Sequence, residues 1–567
     1  MRTRALFVAA LLAVSALAGV GTAAPAPSGA APAAPAAGVT GSAADAPPDP
    51  PSDVLGWEDG VWHNESLDVD QSDGLSEAEL ERVTARAAAR VEHIRRLEFE
   101  TVPDVHLVNR SAYGDVVEGS FASANITTAD RLHQNTKFEA LLFVGEDTGY
   151  FDVRARSETA TLGAFYTSRG IPEVGVPAGG IAVITEEAGS TDAVSGPVLG
   201  HELVHALQDQ HFPGFRVTGA TEEAYNANLS LSEGDATFVG QTYAQRCGER
   251  YDCISASGGG GGDVRNWGLA IFGFTPYGNT GGFVGRIVEE RGFDYLNSLY
   301  RDESRRPVST EQYIHPEKYP DDRPTEVTVA DRSTGEWHVL QLEGGINYAT
   351  FGEAGIFSML WAPSQQLRSD VVVRRVVPTA DPLVRFNFDR PPSAGWDGDK
   401  LYPYVNDSSA RTNETGYVWK TAWDSPADAE EFAAAYRELL EYHDARQVGA
   451  DTYRIPADSG FSDAFHLTVD GDTVTVVNAP MVADLSEVRD TVTVERTTTT
   501  TTATETTTTA TGTTTTTRTT TERTTATRTT TATPATTGTE TTTAPGTPGF
   551  TAATAVAALA VLAWRRR

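Results

Sequence analysis

Lysine is nearly missing from this chain: of 567 residues, only Lys137, Lys318, Lys400 and Lys420 carry its ammonium group. Arginine supplies the rest of the positive charge, and 77 acidic against 44 basic residues leave a formal net charge of −33. Such a surface repels phosphates, which excludes nucleic acid as a partner. A lysine-poor acidic surface suits concentrated salt, where its self-repulsion is screened. Cysteine is confined to Cys247 and Cys253. They close one short loop and have no second pair or nearby histidine to complete a metal set, so a disulfide is expected. The glycine run Gly258 to Gly262 lacks the Lys-Ser/Thr of a phosphate loop, which removes a nucleotide role. Internal repeats are also missing.

What is present centres on His201-Glu202-Leu203-Val204-His205. On a helix, positions i and i+4 share a face, so both imidazoles can reach one metal ion, with Glu202 beside the water that the metal activates. Residues 192–208 read as that helix, opening near Asp192 or Gly196-Pro197 and stopping before Pro213-Gly214. A catalytic zinc takes three protein ligands, and two residues compete for the third place. Glu233 lies on a second expected helix, residues 221–245, with Ser230, Gly234, Ala236 and Thr237 small enough for close approach. Its neighbour Asp235 is shorter and suits the support of a ligand histidine. His211 has the spacing of the third ligand in the longer H-E-x-x-H-x-x-G-x-x-H signature, but Gln208 stands where that signature needs glycine. The internal methionines, Met359 and Met481, are too far downstream for a nearby Met-turn. Glu233 is therefore preferred.

Flanking segments give the rest of the plan. Arg2 and Arg4, the apolar run Ala5 to Val20 and small residues through Ala24 read as a secretory signal over residues 1–24. An Ala/Pro-rich linker (25–53) follows, then an N-terminal helical and strand region (54–137) that is a candidate masking segment. In it, Ser76 and Glu79 form a capping box opening a helix to about Leu97, with Val83, Ala87, Val91, Ile94 and Leu97 on one face. Residues 68–74 approach a calcium loop but place the turn glycine one position late, so a loop and helix cap is expected. Residues 140–144, 162–166 and 181–185 read as strands, with 181–185 as the edge that would pair with an extended substrate. Downstream, Ser425 and Pro426 open a helix to about His443, and residues 465–477 form a hairpin at Asp470-Gly471. Six N-x-[ST] sequons, at Asn64, Asn109, Asn125, Asn228, Asn406 and Asn413, fit an exported chain.

The tail is threonine-rich from residue 496 to 547 and reads as a disordered, extended, O-glycosylated stalk. Pro548-Gly549-Phe550, the apolar stretch 552–564 and three terminal arginines follow. That stretch is short for a membrane span, which needs about 20 residues. Motif, apolar stretch and basic end together resemble the archaeal PGF-CTERM sorting signal (548–567). That resemblance implies cleavage by an archaeosortase and a C-terminal lipid anchor at the cell surface.

His201 to His205, with Glu233-Gly234-Asp235-Ala236 downstream, resembles the gluzincin branch of zinc metallopeptidases, and the whole chain resembles haloarchaeal surface proteins with a zincin-like ectodomain. The resemblance implies an α+β fold with a mixed sheet, an active-site helix and a second ligand helix over residues 138–360. An additional α/β subdomain is expected over 361–495. It further implies Zn2+ on His201, His205 and Glu233, Glu202 as general base, and a peptide or protein substrate. Such sites usually carry another donor for the oxyanion. His315 is the first candidate and Tyr319 the second, the competing reading of His315 being a loop residue fixed by local packing. His466 is placed on a strand without chemistry. The alternative function is a non-catalytic zinc-containing module that binds envelope partners.

Overall fold

In the computed structural model, residues 48–256, 264, 266–366 and 381–493 are described, together with strands 502–509 and 512–519. The signal, most of the Ala/Pro linker, the glycine run 258–262 and the sorting signal lie outside the described residues. The fold mixes helices and strands in two bodies, α+β as expected.

The first body is built on helices. Ser76 accepts the Glu79 N–H while Glu79 reaches back to the Ser76 N–H at 2.9 Å, so α1 (Glu77–Arg95) starts on a full capping box. Its Val83, Ala87, Val91 and Ile94 are buried. Just before it, Asp70 caps a short turn through Ser72 N–H at 2.9 Å, so this loop serves as a helix entry. A three-stranded sheet follows, made of β1 (Val105–Asn109), β2 (Ala164–Thr167) and β3 (Gly180–Thr185) in the order β1-β3-β2. β1 runs parallel to β3, and β2 antiparallel to it. The expected edge is thereby corrected: residues 181–185 form the central strand, and β2 is an edge. The run Gly-Ile-Ala-Val-Ile-Thr is buried at every position because both faces of the sheet are covered, and so is the edge strand β2. The strand expected at 140–144 is also absent. α2 (Thr128–Ala140) runs into it and ends in a turn, with the Phe143 and Val144 N–H groups returning to the Phe138 carbonyl at 2.9 and 3.2 Å. A short apolar run does not by itself separate strand from buried helix end.

Two long helices carry the motif residues. α3 (Gly196–His211) is capped by Ser195 with Pro197 in its first turn, and α4 (Glu222–Arg246) by Thr221. Cys247 and Cys253 form a disulfide just past α4. α5 (Thr280–Arg301) packs along α4. A bed of Val83, Ala87, Val91, Val183, Leu199, Leu203, Ala236 and Val239 joins α1, the small sheet, α3 and α4 in one core.

The second body is a seven-stranded antiparallel sheet. It contains β4 (His338–Val339), β5 (Trp396–Val405), β6 (Gly416–Trp423), β7 (Arg446–Gly449), β8 (Thr452–Arg454), β9 (Ala464–Asp470) and β10 (Thr473–Ala479), in the order β4-β5-β6-β10-β9-β8-β7. α6 (Gly352–Trp361) and α7 (Pro426–Tyr442) share its aromatic core with Trp396, Trp419 and Trp423. The sheet thus begins before residue 361. Asp399 on β5 accepts the Phe351 and Gly352 N–H groups at 3.0–3.1 Å, and Thr350 accepts the Glu223 N–H at 3.1 Å. The sheet is thereby tied to the first turn of α4.

In the threonine tract, β11 (Thr502–Thr509) and β12 (Gly512–Thr519) pair antiparallel, Thr502 opposite Thr519. β-branched threonine favours such pairing, and the rest of the expected stalk lies outside the described residues. Among the described residues, no helix is long and apolar enough to cross a membrane.

Candidate metal centre

α3 and α4 approach closely because glycines face the contact. A Cβ on Gly200 would stand 2.8 Å from the Tyr243 ring, and one on Gly240 3.5 Å from the His201 Cβ. Across this contact His201, His205 and Glu233 converge. His201 Nε2 lies 3.3 Å from Glu233 Oε2, His205 Nε2 lies 3.3 Å from the same oxygen, and the two nitrogens are 3.3 Å apart. Ligand atoms around a tetrahedral zinc, with bonds of about 2.0–2.1 Å, are separated by about 3.3–3.4 Å. The triangle therefore has the edges of one face of that tetrahedron, and the N, N, O donor set suits zinc.

Each donor is oriented from behind. Gln208, three residues after His205 on the same face, places its Oε1 3.0 Å from His205 Nδ1, which leaves Nε2 to the trio. The Gln208 amide donates to the Ser232 carbonyl at 2.9 Å and to the Tyr300 hydroxyl at 3.1 Å. The Tyr300 hydroxyl donates to Asp235 at 3.0 Å, and Arg95 of α1 clamps Asp235 at 2.8 and 3.0 Å. Asp235 thus supports His205 through two intermediates. The residue that breaks the longer zinc signature is the one that orients the second histidine. By continuing the helix, Gln208 carries His211 away, and His211 Nε2 ends 2.6 Å from the Glu98 carbonyl oxygen.

Glu202 is buried beside the trio. Its Oε2 accepts the Tyr166 N–H of edge strand β2 at 3.0 Å, while its Oε1 has no partner. Burial is the main cause that lifts its carboxyl to about 8, with Glu233 adding and His205 and the Tyr166 N–H opposing. Glu233 Oε1 and the Tyr277 hydroxyl are two more buried polar atoms without partners. The Tyr277 ring lies 6.2 Å from that of His201, and burial and the Glu233 and Glu202 charges hold its phenol well above the usual range. Three unpartnered oxygens around a triangle of metal donors is the arrangement expected where an ion and a water belong.

His315 is elsewhere. It follows a short helix (Glu311–Ile314), with Nε2 3.0 Å from buried Glu353 and Nδ1 3.8 Å from Glu317. Its imidazole is raised to about 9 against burial by Glu353, Asp389 and Glu317. It makes no hydrogen bond, ion pair or ring contact with the trio. The Tyr319 hydroxyl donates to the Arg305 carbonyl at 2.6 Å, also away from the centre. The group that sequence reasoning missed is Tyr277, in the turn Thr275–Tyr277 before α5. Nothing local marks it, whereas Gln208 was visible as an i+3 neighbour of a ligand. His466 sits on β9, its Nδ1 2.9 Å from the Thr452 hydroxyl.

Residues 339–489 match the model of a domain of unknown function (DUF8575), which covers the second body and none of the trio. No curated protein and no solved structure matches the chain.

Proposed function

We propose that this chain is a zinc-dependent peptidase in which His201, His205 and Glu233 hold the ion and Glu202 is the general base. The equal-sided triangle of donor atoms, with the unpartnered Glu202 Oε1 beside it, carries the reading. Bound there, zinc supplies a Lewis acid that polarises a carbonyl and acidifies water. Glu202 holds that water through Oε1, takes its proton, and returns it to the leaving amine. The Tyr166 N–H keeps Glu202 from rotating away, and a raised carboxyl suits a group that must accept a proton near neutrality. The Tyr277 hydroxyl, rather than His315, is the donor placed to meet an oxyanion. β2 offers an edge to an extended peptide. Export, surface anchoring and the PGF-CTERM assignment belong to the same proposal and rest on the terminal motifs.

One observation favours a second reading. His201, Glu202, His205 and Glu233 are only 0–5% exposed, which also suits a non-catalytic zinc module that binds envelope partners. Proteolysis of an unfolded protein substrate in high salt separates them, comparing the chain with Glu202→Gln at equal zinc content. Cleavage by the parent alone supports the peptidase. Stoichiometric zinc in both without cleavage supports the binding module, and failure of both to take up zinc sinks the two readings together.

A further inference from the structure

A second set of ligand-type side chains converges where α2 meets the large sheet. Glu139 lies in the last turn of α2, Glu146 in the loop that follows, and Asp463 just before β9. One carboxylate oxygen from each lies within 4.8 Å of the other two. The backbone around them is built for this meeting. The Glu146 N–H donates to the Gly460 carbonyl at 2.9 Å, and a Cβ on Gly145 would collide with that same oxygen, so glycine is needed for the loop to seat there. The Asn413 amide donates to the Glu146 carbonyl at 3.0 Å, and the Asn478 amide of β10 to Asp463 Oδ2 at 3.0 Å.

Glu139 separates this set from a solvated acidic face. It is only 7% exposed and Asp463 4%, and the Glu139 carboxylate, aimed at the other two, makes no hydrogen bond or ion pair among the described residues. Arg454, opposite Ala464 in the β8–β9 ladder, donates to the Ser462 hydroxyl at 3.2 Å and forms no ion pair with the three. A buried carboxylate facing two others is costly until a proton or a cation joins them. The donors are all carboxylate oxygens, which suit a hard cation, whereas the histidine pair of the trio suits zinc. Calcium binds oxygen at about 2.3–2.6 Å, so one ion can touch oxygens as far apart as about 4.6–5.2 Å, which spans the set. Glu146 is only partly buried, so water can reach that side and complete the shell.

We propose that Glu139, Glu146 and Asp463 form a calcium site that fastens the end of α2 to the seven-stranded sheet. Its ligands come from two stretches far apart in the chain, so no local spacing announces it. Calcium and protons compete for the same oxygens, and the calcium-free chain is the one whose stability follows proton binding there. The site is independent of the peptidase reading.

The test uses the full zinc-loaded chain, dialysed against calcium-free buffer at high NaCl. Calorimetry follows its titration with CaCl2, and the thermal midpoint is read with and without CaCl2. Calcium that survives dialysis is measured by elemental analysis and counted with the titrated ion. One ion per chain is expected, with a Kd of about 10⁻⁵–10⁻³ M, and a higher midpoint when it is bound. Glu139→Gln and Asp463→Asn each remove a ligand and relieve repulsion. Without calcium both should match or exceed the parent's midpoint, and both should lose the one-site heat and gain nothing from CaCl2. Glu438→Gln, at an exposed acid on α7, should respond to calcium as the parent does. Zinc content should be the same in all four. A parent that holds no calcium at one site overturns the proposal whatever the variants do. So does a calcium-dependent rise that persists in Glu139→Gln and Asp463→Asn, which is the mark of general screening of the acidic surface.

Discussion

Single side chains decide whether the trio holds an ion and what surrounds it. Gln208→Ala removes the group that orients His205 Nδ1. Zinc affinity should fall by about 10- to 100-fold, measured by competition with a chromogenic chelator, while the circular dichroism spectrum is retained. Unchanged affinity would mean that His205 is oriented by packing alone. Tyr277→Phe and His315→Gln form a second comparison. If Tyr277 meets the oxyanion, its loss should lower kcat by about 10²-fold with little change in KM, whereas His315→Gln should leave kcat near that of the parent. The reverse pattern would return the role to His315. Arg95→Ala tests the far end of the relay. It strands Asp235, which is fully buried, and should cost about 3–5 kcal/mol in denaturant unfolding, as breaking one half of a buried pair does.

At the scale of elements, the centre exists because α3 and α4 touch through glycine. Gly200→Ala places a methyl 2.8 Å from the Tyr243 ring, one residue before His201. Overpacking there should cost about 1–3 kcal/mol and weaken zinc binding in the same variant. A stability loss with zinc affinity intact would show that the helices yield without disturbing the trio. The local part of this architecture was legible: i, i+4 histidines with a glutamate between them, capped helices at 77–95 and 426–442, and a hairpin at Asp470-Gly471. What escaped was whatever depends on distant partners. β3 becomes central only because β1, more than seventy residues earlier, lies beside it, and residues 105–109 show no strong alternation. Leu141 to Val144 turn because the second body's core surrounds them.

For the molecule as a whole, charge sets the conditions. With a net charge of −33, raising NaCl from 0.1 to 1 M shortens the screening length from about 10 to about 3 Å and should raise the thermal midpoint. A midpoint insensitive to salt would refute the reading of the surface. Acidity should matter inside as well. Burial first, then repulsion from Asp463, raises Glu139 well above its usual value and Glu146 to about 7, while burial, opposed by Asn478 and Arg454, raises Asp463 to about 6. The folded state then binds protons that the unfolded chain releases near 4–4.5, so stability is full below that pH and declines as pH rises toward 7. Burial raises Glu58 and Glu92 too, to about 10 and 7, extending the decline to the alkaline side. Unfolding midpoints at constant high salt should fall from pH 5 to 8, and Glu146→Gln should flatten the slope.

The relay behind the trio also orders events in time. His201 and Glu233 are 32 residues apart, but their supports span 92 residues from Gln208 to Tyr300 and 140 from Arg95 to Asp235. Nearby segments meet sooner than remote ones, so a folding chain can gather its ion-binding atoms before the scaffold that steadies them exists. Zinc supplied from the first moment of refolding would then act as a nucleus, and the same zinc supplied after collapse would only occupy a finished seat. Refolding rates with early and late zinc should differ accordingly, and identical rates would place assembly of the scaffold first.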